Sequence, residues 1–201
     1  MNSRTVTLAH PRGVMTLALA LFVALTLFVA ISRTVPGDIA IREAVLHVSS
    51  PPLVVVMRVV NMAGDWRLLF PGTLLMLLVF DRARRRWWLW AGLIIVAAGL
   101  PDVVKAIVGR PRPEATSWGF PSGHSTAAAA FFGAIVYLAG AFRPVASRLV
   151  RAAALFAIVL VGLARVILRA HWPSDVVGGI ALGLTLAAAA AVIDGIVSER
   201  G

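Results

Sequence analysis

Residues 14–31 read VMTLALALFVALTLFVAI, without a single charged side chain. A helix needs about 20 mostly apolar residues to cross the hydrocarbon core of a bilayer, so this run dictates a membrane-spanning segment. Residues 121–142 and 176–193 repeat the signal, and shorter or partly charged runs lie at 68–80, 87–108 and 152–168, the last carrying Arg165. Backbone placed in lipid must satisfy its own hydrogen bonds, which makes each run a helix. The expected fold is therefore all-α: a six-transmembrane helical bundle forming one domain, 1–201, with spans at about 14–32, 67–82, 87–108, 121–142, 150–168 and 174–194. The segment at about 36–64 mixes Asp38, Arg42, Glu43 and Arg58 with apolar residues, and reads as short helices lying in the interface.

Composition removes several function classes. With 60% hydrophobic and 14% charged residues this is no soluble domain, and the absence of cysteine rules out disulfides and thiolate metal sites. The net charge of +10 comes almost entirely from Arg, with Lys105 the single lysine. In a soluble protein that balance would suggest nucleic acid. Here the cations sit between apolar runs, where loop orientation and anionic membrane lipids account for them, so no nucleic-acid partner is expected. The first apolar run is longer than the core of a signal peptide and further spans follow it, so it reads as a retained helix. Trp87, Trp88 and Trp90 suit an aromatic belt at the membrane interface.

Six spans put both termini on one face. Arg82, Arg84, Arg85 and Arg86 crowd a short turn there, the pattern of a cytoplasmic loop. Three polar segments then share the outer face: KAIVGRPRP (105–113), PSGH (121–124) and ARVILRAHWPSD (164–175). Arg165 and Arg169, four apart on one helical face, would repel by about 0.2–0.5 kcal/mol unless an anion lay between them. Pro121 suits the first position of a helix, with Phe120 as a cap that offers no acceptor. The N–H groups of Ser122, Gly123 and His124 would then point outward, and Gly123 admits a ligand close to the backbone, which makes an anion cradle of the kind phosphate occupies. At the sixth span, Pro173 again suits the first helical position, Asp175 falls in the first turn, and His171 precedes Asp175 by four residues. A carboxylate accepting from Nδ1–H would fix the tautomer and leave Nε2 as nucleophile or base.

These residues carry a resemblance. Lys105 with Arg112-Pro113, then Pro121-Ser122-Gly123-His124, then Arg165 with His171 and Asp175 resemble, in order and spacing, the signature of the type 2 phosphatidic acid phosphatase superfamily. These are integral-membrane lipid phosphatases related to the vanadium haloperoxidases. One position departs: Ala164 stands where the family has Ser before the Arg, which puts rate in question more than reaction type. The resemblance implies that His171 attacks phosphorus and forms a phosphohistidine, with Asp175 holding its ring. It implies that His124 protonates the leaving oxygen and then activates water, while Lys105, Arg112, Ser122, Gly123 and Arg165 bind the phosphoryl oxygens. Three cations would neutralise the spread-out charge of phosphoryl transfer. Asp102, Glu114 and Asp175 are isolated among arginines, so neither a metal nor another cofactor is expected. The implied partner is a lipid phosphate or pyrophosphate at the outer face of a bacterial cytoplasmic membrane. Phosphatidate, phosphatidylglycerol phosphate, polyprenyl pyrophosphate and lipid A phosphate all fit that description. Arg110 and Arg169 are candidate contacts to a second phosphate or a headgroup, which tips the expectation toward pyrophosphate. A phosphotransferase on the same scaffold and a catalytically silent lipid-binding or transport protein are the competing readings.

Overall fold

The computed structural model describes residues 9–200; residues 1–8 and 201 lie outside the described residues. The chain folds into a helical bundle whose elements follow the apolar runs. In order these are α1 (Ala9–Ser32), α2 (Asp38–His47), α3 (Pro51–Asn61), a 3-10 turn (Met62–Gly64), α4 (Trp66–Val79), α5 (Asp81–Arg85) and α6 (Trp87–Val108). A two-stranded antiparallel hairpin follows, β1 (Pro111–Arg112) with β2 (Ala115–Trp118), and then α7 (Gly123–Leu138), α8 (Pro144–Ile167) and α9 (Pro173–Arg200). Among the described residues, five helices are long and apolar enough to cross a membrane: α1, α6, α7, α8 and α9. The protein is an integral membrane protein, and its outer surface carries Leu17, Ile31, Ile95, Ile107 and Phe156 exposed, as lipid contact requires.

The expected interfacial segment forms α2 and α3, which meet at a bend of 117°. Pro51 at the start of α3 sets that corner, since proline suits a first helical turn. α4 is only 14 residues long, yet it runs from one end of α7 to the other. Asp65 at its start lies beside His124, and Phe80 just past its end packs its ring 5.1 Å from Phe142. Two boundaries differ from the sequence reading. α8 begins at Pro144, earlier than residue 150, because proline fits its first turn. α7 begins at Gly123 and its cap is Ser122, not Phe120, because a hydroxyl accepts a first-turn N–H and a phenyl ring cannot.

Small residues set the spacing that matters most. A Cβ at Gly183 would lie 2.3 Å from the Thr126 carbonyl oxygen, and one at Gly179 would lie 2.5 Å from that of Ser122. α9 therefore presses directly on the backbone of α7, with Ala128, Ala129, Ala130, Ala187 and Ala191 buried around the contact. Such close approach is how helices gain packing where lipid supplies no hydrophobic drive. A second apolar cluster joins α4, α6 and α7 through Leu69, Met76, Trp90, Leu93, Phe131 and Leu138. Trp90 is thus a core residue, its ring 5.9 Å from Tyr137, whereas Trp87 and Trp88 stay exposed as a belt would. At the end away from His171, the fully buried Asp194 pairs with Arg82 and Arg86, the latter at 2.6 Å, and accepts from Tyr137 Oη at 3.0 Å.

Candidate active site

His171 lies in the short link between α8 and α9. Its Nδ1 is 3.3 Å from Asp175 Oδ2, one helical turn on, and both side chains are buried. Asp175 is held from three sides. Trp172 N–H donates to Oδ2 at 3.1 Å, Arg110 Nη1 donates to Oδ1 at 2.7 Å, and the Asp175 carbonyl accepts the Ser122 N–H at 2.9 Å. Trp172 is itself clasped between the guanidiniums of Arg42 and Arg110, 5.7 and 5.6 Å from its ring, which fixes the link. Burial pushes the His171 pKa down to about 4, and Arg165 and Arg112 push the same way against the pull of Asp175. The imidazole is neutral at neutral pH. With Nδ1–H given to Asp175, Nε2 keeps its lone pair.

The motif cations distribute over the two histidines. Arg165, at the end of α8, acts electrostatically on both His171 and His124; Arg112, on β1, acts on His171 and Arg165; Lys105, at the end of α6, acts on His124. Lys105 Nζ is 2.7 Å from Asp102 Oδ1 and would be 3.6 Å from a Cβ at Gly123, so glycine there keeps the approach to the ammonium open. Arg112 Nε donates to the Trp118 carbonyl at 3.2 Å across the hairpin. Arg165 Nη1 donates to Asn61 Oδ1 at 2.7 Å, while its Nε is buried without a partner. Gly123 and His124 occupy the first turn of α7, where backbone N–H groups have no partner within the helix. Ala164 is fully buried against Met57 and Ile167, so its departure from the motif is taken up by apolar packing.

Three sequence expectations need correction. Ser122 is not turned toward a ligand. It is fully buried, its Oγ accepts from the Ser125 N–H at 3.4 Å and lies 2.9 Å from Ser125 Oγ, and its own N–H is taken by Asp175. Arg110 is no second-phosphate contact, because it is 2% exposed and spends its nitrogens on Asp38, Asp175, Ser174 and the Arg33 carbonyl. Arg169 does not share a face with Arg165: α8 ends at Ile167, and Arg169 turns away with φ 58°, donating to Glu114 at 3.1 Å. Sequence reasoning missed Asp38, which accepts from the Ser174 N–H at 2.8 Å at the start of α9 and joins α2 to Arg110. It also missed Asn61 and Asp65, the latter with Oδ2 3.7 Å from His124 Nε2.

The structure thus gathers two histidines, a buried carboxylate and the cations Lys105, Arg112 and Arg165 at one end of a bundle of membrane helices. The PAP2 superfamily model matches residues 86–195, and the chain belongs to that superfamily. Among its relatives, phosphatidylglycerophosphatase B of Bacillus subtilis is 32% identical over 166 residues, covering 75% of this chain and 79% of the relative. Lipid A 1-phosphatase of Rhizobium etli is 31% identical over 106 residues, 45% of this chain, and the match spans only 42% of that relative's length. The crystal structure of a transmembrane PAP2-type phosphatidylglycerolphosphate phosphatase from Bacillus subtilis superposes with a TM-score of 0.78 at 27% identity, covering 92% of this chain and 96% of the other.

Proposed function

We propose that this protein is a lipid phosphatase that removes a terminal phosphate monoester in two steps. The observation that carries this reading is the buried His171–Asp175 pair at 3.3 Å, with Arg165 and Arg112 near enough to act on the ring. His171 Nε2 attacks phosphorus as the bond to the lipid oxygen breaks. His124 gives its proton to that oxygen, then takes one from the water that releases phosphate from His171. Lys105, Arg112 and Arg165, with the first-turn N–H groups of Gly123 and His124, hold the phosphoryl oxygens and supply the charge that makes the reaction metal-independent.

The inward turn of Arg110 removes half of the support for a pyrophosphate substrate, and Arg169 is already paired with Glu114. A glycerophospholipid monophosphate is therefore favoured, the class named for the Bacillus subtilis relative. We further infer six crossings, with α4 as the second; on that reading the site faces outward from a bacterial cytoplasmic membrane and the crowded arginines of α5 lie inside, as the positive-inside pattern supports. The test is phosphate release by the purified protein, in EDTA, across phosphatidate, phosphatidylglycerol phosphate, polyprenyl pyrophosphate and lipid A. Turnover of a glycerophospholipid phosphate that His171→Ala abolishes supports the reading. Turnover that vanishes in EDTA, or that survives His171→Ala, overturns it.

A further inference from the structure

Outside the matched family region, one segment touches both the acid histidine and the innermost arginine. It runs from Asn61, the last residue of α3, through the 3-10 turn to Asp65, the cap of α4. Asn61 Oδ1 holds Arg165 by one terminal nitrogen and leaves the buried Nε unpaired. Gly64 sits so close that a Cβ there would lie 2.7 Å from the His124 carbonyl oxygen and 3.0 Å from its Cβ. The turn is thus packed against the backbone of His124. Asp65 divides its carboxylate: Oδ1 accepts the Arg67 N–H at 2.9 Å, capping α4, and Oδ2 faces His124 Nε2 at 3.7 Å. The other groups that act on His124 are Arg165, Lys105 and His171, so Asp65 is the negative charge among them.

We propose that Asp65 is a positioning residue for His124, orienting its ring and keeping on Nε2 the proton that passes to the departing lipid oxygen, while Asn61 holds Arg165 alongside. This rests on the reading of His124 as the leaving-group acid. As the His171–phosphorus bond forms and the phosphorus–oxygen bond of the ester breaks, the Nε2 proton of the His124 imidazolium moves to the ester oxygen, leaving a neutral imidazole, and Asp65 keeps its charge throughout. An alkoxide needs that proton; an aryl oxide leaves without it.

The test uses the purified full chain, with Asp65→Asn, Asp65→Glu and His124→Ala, on a short-chain phosphatidate and on p-nitrophenyl phosphate. Asparagine caps a helix about as well as aspartate, so Asp65→Asn removes the charge and spares α4. The expected result is a kcat loss at least ten times greater on phosphatidate than on the aryl ester, with KM little changed and Asp65→Glu recovering part of the loss. His124→Ala shows the same selectivity. Equal losses on both substrates for Asp65→Asn, or no loss, with His124→Ala still selective, overturn the role of Asp65 alone. A His124→Ala variant that loses both activities equally overturns the acid assignment and this inference with it.

Discussion

At the scale of single residues, the partners of a buried ionisable group decide how it behaves. His171, with its pKa lowered to about 4, is neutral above that value and protonated below it. On the proposed mechanism, the attacking lone pair of His171 is therefore lost only as pH falls through about 4, not through the usual histidine range near 6.5. The burst of p-nitrophenol that marks phosphorylation of His171 is expected to persist at pH 5 and to collapse near pH 4. An acid limb near 6.5 would contradict the buried, neutral ring. Arg110 belongs to the frame. Its guanidinium joins Asp38 of α2 to Asp175 of α9, and Arg110→Gln leaves two buried carboxylates short of a partner. Breaking a buried pair in this way costs roughly 3–5 kcal/mol. Arg110→Gln is expected to lower the melting temperature in detergent and to cut turnover of monophosphate and pyrophosphate lipids by the same factor. A loss confined to the pyrophosphate would restore Arg110 as a ligand.

Between elements, the contact of α7 with α9 sets the register of the two histidine-bearing segments. The Ser122 N–H bonds the Asp175 carbonyl, and the glycines at 179 and 183 let the backbones meet. A side chain at 183 has no space, so Gly183→Val is expected to force the helices apart, destabilise by about 1–3 kcal/mol as overpacking does, and lose activity more steeply than stability. Gly92→Ala, at a position with nothing within 4 Å, serves as the comparison and is expected to be neutral or slightly stabilising. Melting and turnover measured on both variants check this. The His171–Asp175 pairing was legible in the sequence because it is local: one helical turn, a proline start and an acidic first turn specify it. Asn61 and Asp65 were not, because their partners lie on other helices and no local periodicity records such a meeting. Arg110 was misread for the same reason, since an arginine beside a motif looks alike whether it faces a ligand or two buried carboxylates.

At the scale of the molecule, the apolar runs were sufficient to read an all-helical membrane bundle, while the course of the short α4 along α7 emerges only from its partners at each end. Topology can be checked directly. Cysteine at the exposed Thr116 of the hairpin is expected to react with an impermeant thiol reagent from outside, and cysteine at the exposed Arg85 only after permeabilisation. Equal labelling of both would break the six-crossing arrangement. The site lies where α6 and α8 end and α7 and α9 begin, and the flanks of those helices are greasy, with Ile107, inside the 105–113 segment, 79% exposed. A substrate seated there keeps its chains among its neighbours, so the encounter takes place within a surface instead of a volume. Rates in mixed micelles should then follow the mole fraction of substrate among the amphiphiles. Adding inert detergent at constant total lipid would slow the reaction as effectively as removing substrate, and the dephosphorylated lipid, unable to leave for water, would linger as a competitor for the same opening while phosphate escapes.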